Sequence, residues 1–113
     1  TIVYDKVVTN EGNAYNKVTG KFTAPRDGPY VFTWTALTTV KFSLNVYIWH
    51  NGKRLSVAQA DSKDGTKNSS GSNTIVLKLN QNDQVELKCG LWLDDNLHLL
   101  YGAAHSTFSG WAL

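Results

Sequence analysis

One short stretch of the chain holds the side chains best suited to binding a small polar ligand. Within seven residues it combines an aromatic ring with carboxylates, an amide and an imidazole, from Trp92, Asp94, Asp95, Asn96 and His98. An aromatic ring can cover the apolar face of a sugar, and planar polar groups can bond its hydroxyl or acetamido groups. The stretch therefore predicts a carbohydrate site. The alternative is that Trp92 packs beneath a loop whose carboxylates keep it soluble.

A second candidate site, for a metal ion, lies in a polar segment. Asp61 and Asp64 are separated by two residues, and hard cations such as calcium take carboxylate and carbonyl oxygens as ligands. Two carboxylates do not complete a calcium shell, so the alternative is a solvated loop.

Several classes of function are disfavoured. The sequence contains no G-x-S-x-G, no H-E-x-x-H, no phosphate-binding loop and no Cys/His cluster, so an enzyme is not expected. Its net charge of +2 comes from scattered residues rather than a basic run, which argues against nucleic acid. No apolar run approaches the length of a membrane span.

Three isolated side chains, Cys89, His50 and His105, are interpreted without a functional role. The single cysteine, Cys89, alternates with Leu87 and Leu91 on the inward face of a strand. We expect a buried, unreactive thiol, and a disulfide between chains is the alternative. His50 and His105 have no partner evident in the sequence and are expected at the surface.

The element that must position these groups is an aromatic strand at 28–36. Tyr30, Phe32 and Trp34 alternate with smaller residues at the period of a β-strand. Three rings on one face can be buried only if a second layer covers them. The stretch predicts the centre of a sheet packed on another sheet.

The rest of the chain shows the same period and no credible helix. Alternating runs separated by turn residues predict about nine strands, at 4–9, 15–24, 28–36, 42–49, 55–60, 75–79, 85–89, 97–101 and 107–113. Asn51-Gly52 predicts a tight hairpin, and 61–73 is expected to be a polar loop. The chain of 113 residues is thus interpreted as one all-β domain, a sandwich of antiparallel sheets.

The spacing of the aromatic and turn residues resembles the globular domain of complement C1q. The matching positions are Tyr4, Asn10, Tyr15, Phe22, Gly28, Tyr30, Phe32 and Trp34. Segment 19–25, Asn51-Gly52 and the terminal 108–113 also resemble family segments. Tyr4 and Trp34 replace other aromatic residues of the family pattern.

The resemblance implies a jelly roll of two five-stranded sheets, secretion, and trimers assembled around an apolar axis. Asp61 and Asp64 lie where related domains hold calcium, and three copies around such an axis could pool their ligands. Tyr47 and Trp49, on the second face of their strand, are expected to contact another subunit. The first family strand is missing from this sequence, so a separate fragment, an altered oligomer or a partner chain is expected to fill its place. The sequon at Asn68 favours secretion weakly.

Antiparallel strands alternate direction, so segments 38–41, 61–72 and 91–96 are expected at one end of the sandwich. Binding residues concentrate in such loops. Stand-alone members of the resembled family are similar to lectins of innate immunity, so the resemblance implies a secreted lectin-like protein. We expect it to bind acetamido sugars such as GlcNAc, GalNAc or sialic acid, with avidity from an oligomer. The alternative is a cytokine-like or structural trimer that binds a protein and has no sugar site.

Overall fold

The computed structural model describes residues 1–4, 7, 10–38, 43–61, 69–89 and 107–113. A short 3₁₀ turn, Glu11–Asn13, precedes the strands, which are numbered in chain order. They are β1 Tyr15–Asn16, β2 Lys21–Thr23, β3 Gly28–Thr38, β4 Ser43–His50, β5 Lys53–Asp61, β6 Ser69–Leu79, β7 Gln84–Cys89 and β8 Thr107–Ala112.

The strands form two antiparallel sheets. One has the order β1-β2-β7-β4-β5 and the other β6-β3-β8. The prediction of an all-β sandwich of two antiparallel sheets is confirmed. The described residues contain eight strands rather than about nine. The predicted strand at 97–101 lies outside the described residues, and Tyr4 and Val7 of the predicted first strand are not in a strand.

The sandwich core is built from the inward residues of β3 and β4. Tyr30 is 2% exposed and Phe32 and Trp34 are fully buried, as the alternation predicted. Leu44, Val46 and Ile48 of β4 face them from the other sheet and are also fully buried. Burying each such side chain contributes about 1.5–3 kcal/mol, and this drives the two sheets together.

Aromatic rings from both sheets meet inside the sandwich. The Phe22 ring lies 5.7 Å from that of Tyr30 and 5.2 Å from that of Phe32, both edge to face. Phe108 of β8 lies 6.0 Å from Phe32. Such ring pairs add about 0.5–1.5 kcal/mol each beyond the buried area. They fix the position of β2 over the aromatic strand β3, and the Phe108 contact adds to the pairing of β8 beside it.

Two turns follow from their glycines. Asn51 and Gly52 have φ of 48° and 83°, the left-handed pair that a tight two-residue hairpin requires, and they join β4 to β5. Gly20 has φ of 77°, and a Cβ there would lie 2.6 Å from the carbonyl oxygen of Ile2. The backbone of the N-terminal segment therefore packs directly on this turn.

The predicted polar loop at 61–73 is wrong over its second half. Residues 69–73 form the beginning of β6 and pair with residues 34–38 of β3. Their polar side chains give no apolar alternation, so the sequence pattern hides the strand. Gly71 shows why it forms here: a Cβ at this position would overlap the backbone oxygen of Gln59, so only glycine permits the close approach of β5.

Candidate functional site

The register brings the longest connecting segments to one end of the sandwich. Thr38 pairs with Ser69, and Ser43 pairs with Asp61, so the ends of β3 and β5 lie beside the starts of β6 and β4. β7 runs antiparallel to β4 and β8 antiparallel to β3, so β7 ends and β8 begins at this same end. We call it the loop end, and it consists of Thr38, Ser43, Asp61, Ser69, Cys89 and Thr107.

The sugar site predicted from the sequence belongs to the segment between β7 and β8. Trp92, Asp94, Asp95, Asn96 and His98 lie outside the described residues, as does Asp64. The residues that flank this segment, Cys89 and Thr107, both lie at the loop end. The sugar site and the roles of its side chains stay a prediction.

Asp61 is the member of the predicted metal pair that the structure describes. It is the last residue of β5, it is exposed, and it pairs with Ser43. Among the described residues, no group of three or more His, Cys, Asp or Glu side chains could hold a metal ion. Calcium at Asp61 and Asp64 stays a prediction.

The opposite end of the sandwich is closed by a hydrogen-bonded cluster around Asp83. Its carboxylate accepts a hydrogen bond of 2.9 Å from Asn51 Nδ2 and another of 2.9 Å from the backbone N–H of Asn80. His50 Nε2 lies 2.9 Å from Oδ2. The Asn51 amide, the Asn80 N–H and His50 together hold the pKa of Asp83 at about 2. We call this the turn end.

At the turn end, His50 has a partner that the sequence alone does not reveal. His50 has no partner evident in the sequence, but in the structure it bonds to Asp83, a residue far along the chain. His105 lies outside the described residues. The pairing of His50 with Val85 across β4 and β7 brings the His50 and Asp83 side chains together. Each group of the Asp83 cluster already has a hydrogen-bond partner within the cluster. We therefore assign the cluster a structural role, in which it holds the end of β4 beside the start of β7.

The outer face of the five-stranded sheet carries a surface that we call the flank, made of Lys21, Tyr47, Trp49, Arg54 and Lys88. The guanidinium carbon of Arg54 lies 4.5 Å from the centre of the Tyr47 ring. The Lys88 ammonium lies 4.6 Å from the centre of the Trp49 ring. Tyr47 and Trp49, predicted to contact another subunit, are half-buried and covered in part by these cations.

The outer face of the other sheet carries exposed apolar side chains that the sequence reasoning missed. Val31 pairs with Val76 on one side and Trp111 on the other, so the three form a row across the sheet. Val76 is 60% exposed and Trp111 50%, whereas Val31 between them is buried at 8%. Leu113 follows, bonded through its N–H to the Pro29 carbonyl. We call Val31, Val76, Trp111 and Leu113 the apolar row.

Uncharged hydroxyl groups adjoin the apolar row. Thr35 Oγ1 lies 2.8 Å from Thr107 Oγ1, and Thr74 donates to Thr33 over 3.3 Å. The signal for this face was present in the sequence, since Trp111 alternates with the inward residues Phe108 and Ala112. The sequence does not show, however, that no second layer of described residues packs on this outer face of the β6-β3-β8 sheet.

The lone cysteine lies at the loop end. Cys89 pairs with Val46, is half-buried and packs against the core. Burial also raises the pKa of the nearby Tyr4 hydroxyl above its ordinary range.

In the described part of the chain, no helix has the length and apolar character needed to span a membrane.

Comparison with known proteins by family model and by sequence identity gives matches over nearly the whole chain. The family model described as C1q domain matches residues 1–113. Complement C1q tumor necrosis factor-related protein 3 of Homo sapiens is 34% identical over 113 residues, which cover 99% of this chain and 44% of that protein. Heavy metal-binding protein HIP of Mytilus edulis is 32% identical over 111 residues, covering 97% of this chain and 50% of that protein. The chain thus spans half or less of the length of these relatives.

Among solved structures, the globular domain of zebrafish complement 1qA protein superposes with a TM-score of 0.76. It is 17% identical, and the match covers 98% of this chain and 82% of that chain. At this identity the likeness shows the fold alone. The predicted resemblance to the C1q globular domain is confirmed.

Proposed function

Since the chain belongs to the C1q domain family, we propose that it is a secreted, non-enzymatic recognition domain that binds carbohydrate at its loop end and gains avidity by forming an oligomer. The observation that carries the proposal is the register, which gathers at one end the strand ends flanking 39–42, 62–68 and 90–106. Loops held by a rigid scaffold are the usual place for ligand-binding residues.

In this proposal Trp92 stacks on the sugar ring, and Asp94, Asp95 and Asn96 bond its hydroxyl or acetamido groups, with His98 beside them. Acetamido sugars such as GlcNAc, GalNAc and sialic acid suit this set because an aromatic ring also packs on the acetamido methyl group. A site built from surface loops buries little of its ligand, so each site is expected to bind weakly. Several copies in a fixed array raise the effective affinity.

Calcium is proposed as a cofactor held by Asp61 and Asp64 with oxygens pooled from neighbouring copies. The support for this proposal is that Asp61 is exposed at the loop end and that carboxylate oxygens are the ligands that calcium prefers. Isothermal titration with calcium tests the site. Heat that Asp61→Asn and Asp64→Asn both remove supports it, and heat that neither variant changes contradicts it.

The apolar row is proposed as the assembly face. Contiguous exposed apolar side chains are uncommon on monomers, and the adjoining threonines add no charge that a second copy would have to desolvate. Subunit contacts by Tyr47 and Trp49, and a disulfide between chains through Cys89, are the competing modes of association. A non-reducing gel tests the disulfide directly, because a covalent dimer runs at twice the mass of the monomer.

The carbohydrate proposal is tested with an array of glycans probed with and without calcium, followed by titration of single sugars. Immobilised protein with free monosaccharide reports affinity per site, so changes in assembly do not affect it. Trp92→Ala is expected to weaken binding about tenfold, corresponding to ~1.4 kcal/mol of lost stacking. Trp111→Ala, a matched change on the apolar row, should leave this affinity unchanged.

The alternative is a cytokine-like or structural trimer that binds a protein and has no sugar site. It draws support from the name of the human relative, which is tumor necrosis factor-related. No sugar binding at millimolar concentration, together with a stable oligomer, would favour this alternative and remove the lectin proposal.

A further inference from the structure

The flank is a surface that the proposed sugar site does not use. It places a cation over each of two aromatic rings, Arg54 over Tyr47 and Lys88 over Trp49. A cation above a ring is held in place while its outer side stays open to solvent. The flank therefore presents positive charges in fixed positions beside aromatic planes.

An irregularity in the β4–β5 pairing creates this arrangement. Ile48 pairs with Ser56 and Trp49 with Arg54, so Leu55 is an extra residue on β5. A bulge of this kind re-aims the side chains that follow it. Here it puts Arg54 on the outer face beside Trp49 and within reach of Tyr47. In a regular ladder Leu55 would occupy that position.

The described residues of the outer face carry more positive than negative charge. Lys21, Lys88 and Arg54 stand on β2, β7 and β5, whereas Glu86 lies among them and Asp61 lies at the loop end. Glu86 is already engaged, since it accepts a hydrogen bond from the Thr1 hydroxyl and lies 3.4 Å from Lys88. Burial alone would raise the Glu86 pKa, but these partners outweigh it and hold the pKa below its ordinary value.

The positions of the cations match an extended anion. The strand order β2-β7-β4-β5 places Lys21 and Arg54 three strand spacings apart, or roughly 15 Å, with Lys88 between them. The rings of Tyr47 and Trp49 lie on β4 within this span. Glu86 lies between Lys21 and Trp49 in the register, and Lys88 lies two residues further along β7. An anionic chain running from Lys21 to Arg54 would therefore cross β7 at Lys88 rather than at Glu86.

We propose that the flank binds a sulfated polysaccharide chain, with its anionic groups on Lys21, Lys88 and Arg54, the last two of which are held in position by the Trp49 and Tyr47 rings. The charge is complementary, and sulfate oxygens accept charge-assisted hydrogen bonds from guanidinium and ammonium groups. An acidic peptide that added as a strand would pair with the edge strand β5. It would then lie beside Arg54 and extend the sheet, and it would not cross Lys88 and Lys21 on β7 and β2.

The flank and the loop end are separate sites, so their tests are independent. Trp92→Ala should leave polysaccharide binding at the flank unchanged. Loss of flank residues should leave monosaccharide affinity at the loop end unchanged. Failure of one proposal therefore does not imply failure of the other.

Heparin is the probe, measured by titration at about 10 mM salt, where the Debye length of about 30 Å exceeds this span. The double variant Arg54→Gln with Lys88→Gln removes two flank cations. It should lose about a hundredfold in affinity, roughly tenfold for each charge-assisted contact. The matched control, Arg26→Gln with Lys78→Gln, removes the same charge from exposed positions elsewhere and should change affinity less than threefold.

Four results would overturn the proposal. They are no heparin binding by the unmodified chain, equal losses in the two double variants, equally tight binding of polyglutamate, and a change in oligomeric state in the flank variant alone. The last would make the flank a subunit contact. Circular dichroism confirms that both variants fold. A test without substitutions is acetylation of the unmodified protein, in which heparin should protect Lys21 and Lys88 but not Lys78.

Discussion

The hydrogen bond from Trp34 to Val46 gives the most direct test of how the two sheets are held together near the loop end. Trp34 belongs to β3 and Val46 to β4, which lie in different sheets. The indole Nε1–H donates to the Val46 carbonyl over 3.0 Å, and the ring is fully buried. Trp34→Phe removes the donor and part of the ring while keeping an aromatic side chain.

The expected cost follows from two terms. The shorter side chain leaves a cavity of roughly 40 Å³, which at about 24 cal/mol per Å³ destabilises the fold by about 1 kcal/mol. Loss of the donor beside a buried carbonyl adds about 1–3 kcal/mol. Together the free energy of unfolding should fall by about 2–4 kcal/mol, a large part of the stability of a domain this size.

Urea unfolding followed by circular dichroism measures this change. With a denaturant slope near 1.5 kcal/mol per molar, the midpoint should fall by roughly 1–3 M. Trp111→Phe is the matched control, since Trp111 is half exposed on the apolar row, and it should change stability by less than about 0.5 kcal/mol. Equal effects of the two substitutions would refute the assigned role of Trp34.

Three further outcomes are expected. Gly71→Ala should lower the free energy of unfolding, measured by thermal unfolding, by about 1–3 kcal/mol, because the added Cβ overlaps the Gln59 backbone. The control Ser72→Ala, at an exposed position, should leave this free energy nearly unchanged. Because the pKa of Asp83 is held at about 2, below its ordinary value of about 4, stability should fall as the pH drops through this window. Asp83→Asn should flatten that fall in urea titrations at pH 5 and pH 2.5. Trp111→Glu should lower the mass found by light scattering, and an unchanged oligomer would contradict assembly through the apolar row.

The aromatic core and the fold class could be predicted from the sequence because they depend on local periodicity. Tyr30, Phe32 and Trp34 alternate strictly, and one register buries all three rings. The hairpin at Asn51-Gly52 was equally predictable, because few residue pairs adopt its backbone angles. These features need no information from distant parts of the chain.

Features that depend on distant pairing could not be predicted in the same way. The start of β6 is polar, and it forms a strand because β3 offers a pairing edge and Gly71 admits the β5 backbone. The His50–Asp83 contact joins two turns that are 33 positions apart. The bulge that places Arg54 beside Tyr47 leaves no mark in the alternation of β5. In each case a contact between elements decides the outcome, and the local pattern does not.

The central claim is that ligand recognition takes place at the loop end. It is tested most directly by amide chemical shifts in a titration with N-acetylglucosamine at millimolar concentration. The account predicts the largest shifts around Cys89 and Thr107, which flank the proposed sugar-binding segment, smaller shifts around Thr38 and Asp61, and none around His50. Shifts centred on the turn end, or no shifts at any strand end, would contradict it.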